Sequence, residues 1–168
     1  MAQKLFIPTF FIVLGIALTL YYIYVSTPSI PEIKYGEDRC DYCGMVISEK
    51  KFSALAYSLD EERWVLFDDI GGLFLYIIEN GGRNRFKDIY VYDYNSEERI
   101  SAYDAYFVRG DPDKIWTPMS SGIVAFESRV EAESFAEQVD GKIYTFDELY
   151  NWVYNNMDKV FQGMKMEV

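Results

Sequence analysis

Between Leu5 and Val25 the chain reads LFIPTFFIVLGIALTLYYIYV, a run without a charged side chain. About 21 apolar residues match the roughly 20 that an α-helix needs to cross a bilayer core, so the remainder must fold without them. A cleavable secretion signal has a shorter apolar region, about 7–15 residues, followed by a small-residue cleavage site. This run ends instead in Tyr21, Tyr22 and Tyr24, side chains suited to a membrane interface. The expectation is an uncleaved transmembrane anchor over residues 1–27. A stiff, extended spacer over 28–38, with Pro28 and Pro31, then leads to a body outside the cytoplasm, as entry by a secretory route implies.

The composition narrows what that body does. A chain of 168 residues carries 27 acidic and 16 basic side chains, a formal charge of −11. Bulk electrostatics therefore disfavours phosphate backbones, and nucleic acid drops out as a partner. Half of the residues are hydrophobic and 18% are aromatic, so a packed domain is expected rather than disorder. There is no histidine. That excludes Ser-His-Asp and Cys-His nucleophiles and leaves carboxylates and thiols for any chemistry.

From Phe52 the pattern is strand, turn, strand, helix, strand. FSALAYSL and RWVLF, separated by DEE, predict a hairpin. Asp68 or Asp69 caps the helix IGGLFLYIIEN, which Gly81 and Gly82 stop, and IYVYDY returns as a third strand. The second half repeats the order. AYDAYFV, the loop RGDPDKIWTPMSS and GIVAF precede a helix with Ser128 and Glu131 as a capping box. Gly141 ends that helix before KIYTF, and Thr145 with Glu148 opens a last helix. The predicted class is α+β, with a folded domain over 39–157 made of two ββαβ units, about 39–95 and 96–157, and a tail over 158–168.

Sulfur is the soft donor available. Cys40 and Cys43 stand in RCDYCGM, Met45 follows two residues later, and Met119 lies in TPMSSG. Structural zinc takes four Cys or His ligands, which two thiols without imidazole cannot supply unless carboxylates take part. Thiolate and thioether ligands do select Cu(I), and in an extended segment the alternate residues Cys43 and Met45 can face one ion. Three plainer readings stand beside this one. Methionines commonly fill gaps in cores, Cys-x-x-Cys closes a disulfide or exchanges thiols in oxidising compartments, and the acids Asp68 and Asp69 suit a helix N-terminus.

CDYCGMVI, LFDDIGGLF, WTPMSSGIVAF and YTFDEL, collinear from about Cys40 to Leu149, together resemble the NosL family of nitrous-oxide reductase accessory proteins. The resemblance implies an extracytoplasmic copper chaperone that binds Cu(I). It implies nitrous-oxide reductase as copper acceptor, an ABC-type membrane maturation complex as partner, and two ββαβ units arranged as in part of the organomercurial lyase fold. The family's Cys-Gly-Met falls on Cys43, Gly44 and Met45, and its Thr-Pro-Met on Thr117, Pro118 and Met119. The implied copper ligands are Cys43, Met45 and Met119, with Cys40 as a further candidate. Two departures stand out: no cysteine precedes Cys40, so the apolar span replaces the lipid anchor of many members, and no histidine can complete the site.

The resulting expectation is a membrane-anchored, non-enzymatic Cu(I) carrier with one ligand-bearing loop from each unit. The strongest rival is a thiol-disulfide oxidoreductase using Cys40 and Cys43, and a third reading is a tethered interaction module with a structural disulfide. The acidic neighbours Glu37, Asp38 and Asp41 should raise a thiol pKa, which argues against exchange chemistry.

Overall fold

The computed structural model describes residues 12–19, 29–158 and 160. The chain divides into Met1–Glu32 and Ile33–Val168. In the first part residues 12–19 are helical, and no helix among the described residues is long and apolar enough to cross a membrane. Most of the span expected over Leu5–Val25 lies outside the described residues, as does most of the 158–168 tail.

The second part takes in residues 33–38, which the sequence assigns to the spacer. Ile33 is buried in the core, and the Gly36 amide donates to the Ile47 carbonyl at 2.9 Å while Ile47 donates to Asp38 at 2.9 Å. The spacer expected from the sequence ends at Ile33, an apolar side chain with a core to enter.

A four-stranded antiparallel sheet is built from β1 (Ala54–Ser58), β2 (Arg63–Phe67), β3 (Phe86–Tyr92) and β4 (Arg99–Ser101), in the order β2-β1-β3-β4. Helix α1 (Ile70–Glu79) connects β2 to β3. A second antiparallel sheet holds β5 (Tyr106–Arg109), β6 (Ile123–Phe126) and β7 (Lys142–Tyr144), in the order β6-β5-β7, with α2 (Arg129–Val139) before β7 and α3 (Phe146–Asn155) after it. Matching β1, β2 and β3 to β5, β6 and β7 reproduces the same strand order, with the first strand central in each. The ββαβ order therefore occurs twice.

Helix α1 contains no charged residue before Glu79, and Ile70 through Leu75 and Ile77 are buried. A helix that is apolar all round belongs inside. It packs on β1, β2, β6 and α3, and its Phe74 ring lies 5.6 Å from Phe107 and 5.2 Å from Phe146. The second sheet is covered on both faces, which is why IVAF is buried throughout. Alternate residues divide between the faces. Phe107, Ile123 and Ala125 enter the main core, whereas Val108, Val124 and Phe126 pack with Ala132 and Ala136 of α2.

The sequence expectation fails at a few boundaries. The third strand starts at Phe86 and stops at Tyr92, because Asp93 folds the chain back: its carboxylate accepts from the Asn95 and Ser96 amides and, through the other oxygen, from the Glu127 amide at 2.8 Å. Strand β4 was not expected. The strand predicted over AYDAYFV shrinks to Tyr106–Arg109, since the Asp104 amide turns onto Ser101. Thr145 and Glu148 form the reciprocal box. Ser128 caps α2, but the Glu131 carboxylate accepts from Asn95 instead of turning back.

Candidate metal centre

The Cys-x-x-Cys segment is a tight loop closed on itself. Cys40 donates its amide to the Met45 carbonyl at 2.8 Å, the Gly44 amide returns to Cys40 at 2.9 Å, and Arg39 pairs with Val46 in an isolated bridge. Gly44 has φ +76°, a conformation cheap for glycine alone. Asp41 fixes this loop to the end of β2: its amide donates to the Leu66 carbonyl at 2.8 Å, its carboxylate accepts from the Leu66 amide at 2.7 Å, and Arg63 pairs with it at 2.9 Å. Two residues beyond Leu66 comes Asp68.

That docking brings Cys40, Cys43 and Asp68 together, with one donor atom from each within 4.8 Å of the others. Cys40 and Asp68 are buried, Cys43 is exposed, and both cysteines are free thiols. The Cys43 thiol donates to the Asp68 carboxylate at 3.5 and 3.6 Å. The two sulfurs differ in acidity. A hydrogen bond between them, then burial, pushes the Cys40 thiol up. The same bond holds Cys43 down despite burial, assisted by the Met45 amide and opposed by the Asp68 charge. Cys43 is thus the more acidic thiol of the pair. The acid that pushes these thiols up is Asp68 rather than the sequence neighbours, since Asp38 and Asp41 are engaged by the Lys34 and Leu66 amides and by Arg63.

Losing the Cys43 proton would set a thiolate beside the Asp68 carboxylate, and a cation bound between them would relieve that repulsion. One soft anion, a second sulfur and a carboxylate fit a thiophilic ion, and the opening at Cys43 gives it a way in.

The sequence reading misses Asp68 because Asp68 or Asp69 equally suits the helix cap. Asp69 is the cap: it is extended, at φ −143° and ψ 137°, and accepts from the Gly71 amide at 2.6 Å. Successive side chains in an extended segment point to opposite sides. Two adjacent acids cannot both serve the helix N-terminus, and that was the available signal.

Asp69 faces the other way and holds the Met119 loop. Its carboxylate accepts from the Met119 amide at 3.0 Å and from the Ser121 hydroxyl at 2.6 Å. Burial pushes this carboxyl up, although the donors around it favour its anion. Thr117 shapes the loop by accepting from the Ser121 amide at 3.0 Å and the Gly122 amide at 3.3 Å. The loop approaches α1 closely because two glycines open its first turn. A Cβ on Gly71 would lie 2.4 Å from the Ser121 Cβ, and one on Gly72 would lie 3.0 Å from the Met119 Sδ and 3.6 Å from the Tyr42 ring. The buried Met119 thioether therefore packs over Gly72 beside Tyr42, the residue before Cys43.

Of the residues named from sequence, Cys40 and Cys43 join the cluster, and Met119 lies over Gly72, which Tyr42 of the cysteine loop also approaches. Met45 contributes its backbone to the turn, and the residue is 43% exposed.

None of the curated proteins is significantly similar to the chain. Among solved structures, the copper chaperone NosL from Shewanella denitrificans superposes with a TM-score of 0.62 at 28% identity, covering 73% of this chain and 96% of that one. The NosL family model matches residues 33–153, which hold both sheets, the cysteine loop, the Asp68–Asp69 pair and the Met119 loop. The chain belongs to the NosL family.

Proposed function

We propose that this protein is a carrier of Cu(I), held outside the cytoplasm by its N-terminal apolar run, which supplies copper for the assembly of nitrous-oxide reductase with the help of an ABC-type membrane complex. The observation that carries the copper reading is the Cys40–Cys43–Asp68 cluster, in a family with a copper chaperone among its solved members. Cys43 is the anchoring donor. Cys40 and the Met119 thioether are the further soft donors, and Met45 is an exposed thioether able to meet the ion as it enters or leaves. Cu(I) is stable at low coordination number and prefers such ligands, whereas a thioether is a poor ligand for zinc. Copper is cargo here, and no chemical conversion is assigned to the protein.

The test is a competition between the reduced protein and a Cu(I) chelator without air, repeated with Zn(II). One Cu(I) bound far more tightly than Zn(II), with binding nearly abolished in Cys43→Ser, is the expected result; preference for zinc overturns it. A second reading, a thiol-disulfide oxidoreductase, draws on the exposure and lowered pKa of Cys43 beside the free Cys40 thiol. Reduction of a disulfide substrate that needs both cysteines and is indifferent to Met119→Leu would favour it.

A further inference from the structure

The second half of the chain holds an arginine that the copper reading does not use. Arg109 ends β5, its guanidinium carbon lies 3.8 Å over the Trp152 ring of α3, and its Nε is buried without a hydrogen-bond partner. Among the described residues Arg63, Arg83, Arg85 and Arg129 each pair with a carboxylate, and Arg109 with none. In a chain of charge −11 a half-buried guanidinium that makes no close ion pair is unexpected, its nearby Asp111 charge acting only through space. Stacking on an indole offsets part of its desolvation, but a guanidinium is also a fork of donors shaped for a planar anion.

Arg109 opens into a cleft of about 460 Å³, lined also by Lys142, Tyr144, Trp152, Asp111 and Asp140. Asp111 accepts from the Asp113 amide at 3.0 Å while its charge still acts on Arg109, and the exposed Asp140 lies 4.0 Å from Lys114. Their presence nevertheless disfavours a doubly charged ligand such as a phosphate. It leaves room for a single negative charge, and the two rings offer an apolar wall beside it.

We infer that this cleft is a carboxylate-binding subsite, in which Arg109 pairs with the carboxylate, Lys142 adds a second positive charge, and Trp152 and Tyr144 take the apolar group that bears it. The carboxylate has two possible sources, a free aromatic or aliphatic acid and a glutamate or aspartate side chain of a partner polypeptide.

The test is a titration of the full chain, in an uncharged detergent, followed by ¹⁵N NMR of the Arg109 Nε–H and Trp152 indole N–H. The probes are sodium benzoate and an end-blocked glutamate-containing peptide, with sodium chloride at matched ionic strength as control. Saturable shifts of both signals with either probe are expected. Arg109→Lys, which keeps the charge and loses the fork, should weaken binding by about tenfold. Tighter binding of benzoate identifies a free acid as the ligand class, and tighter binding of the peptide identifies an acidic segment. Shifts that follow ionic strength alone for both probes, or saturable binding unchanged in Arg109→Lys, overturn the inference. The titration of the unmodified chain decides this even where the variant folds poorly.

Discussion

Adding one methyl group at Gly72 tests the link between the Met119 loop and the metal. Alanine is favoured over glycine inside a helix by about 1 kcal/mol. The new Cβ would stand 3.0 Å from the Met119 Sδ and 3.7 Å from its Cε, so the sulfur must give by a few tenths of an ångström. A methionine end is flexible enough to move, and Gly72→Ala should change stability by less than about 1 kcal/mol. Gly71→Ala is the contrasting control. Its Cβ would meet the Ser121 Cβ at 2.4 Å and the Asp69 carboxylate at 3.1 Å, so the loop itself must shift, at about 1–3 kcal/mol for overpacking. Loss of the charge-assisted Ser121–Asp69 bond adds about 1.5–3 kcal/mol. Less the helix-propensity gain, Gly71→Ala should lose about 1.5–5 kcal/mol, equivalent to roughly 3–20 °C in Tm. Urea and thermal unfolding of the apo-proteins measure both. In the Cu(I) competition assay Gly72→Ala, which displaces a donor without removing it, should weaken binding by about 10–100-fold. Unchanged affinity in Gly72→Ala and in Met119→Leu would refute Met119 as a ligand, and a neutral Gly71→Ala would refute the packing argument.

Further outcomes follow from other residues. Asp93→Asn should cost about 1–3 kcal/mol at neutral pH. Backbone and Ser96 donors hold the Asp93 carboxyl below its usual range despite its burial, so its stabilisation is present above the unfolded value of about 3.9 and is lost as pH falls through the lower folded value. Wild type and variant should therefore converge in urea unfolding at strongly acidic pH. Asp68→Asn removes a charge that pushes the Cys43 thiol up, so thiolate absorbance against pH should show Cys43 ionising at lower pH; an unmoved titration would uncouple Asp68 from the cluster. Mass spectrometry of the membrane fraction should find the full-length chain, and a mature N-terminus after residue 25 would show cleavage instead.

Both ββαβ repeats were legible because each has a distinctive central signal, RWVLF with IGGLFLYII in the first and GIVAF before a capped helix in the second. What escaped was decided by partners far away in the chain. RIS has no pattern of its own and becomes β4 through pairing with β3. The third strand ends at Tyr92 because the carboxylate next to it finds an amide at Glu127, 34 residues on. The site was half legible for the same reason. The Cys pair and Met119 announce soft chemistry by residue type alone, while Asp68 looks like its neighbour until the fold turns the two apart.

That divergence organises the whole centre. Asp68 faces the thiols of the first unit, and Asp69 binds the Met119 amide and the Ser121 hydroxyl of the second. One dipeptide at the start of a buried helix therefore meets both loops, and the glycines after it let the second loop come close. In the carrier reading this explains how a firm fold releases its cargo. Cys43 is exposed and belongs to a loop tied down through Asp41, whereas the buried Met119 loop is anchored to the first unit through the Asp69 carboxylate, which holds the Met119 amide and the Ser121 hydroxyl. Cys43→Ser should then abolish Cu(I) binding, because it removes the charged donor. Ser121→Ala, which deletes one bond to Asp69 and touches no sulfur, should leave Cu(I) bound and speed its loss to a chelator in stopped-flow measurements by about tenfold, the equivalent of one hydrogen bond to a charged group. An unchanged release rate would mean that the Met119 loop plays no part in holding the metal.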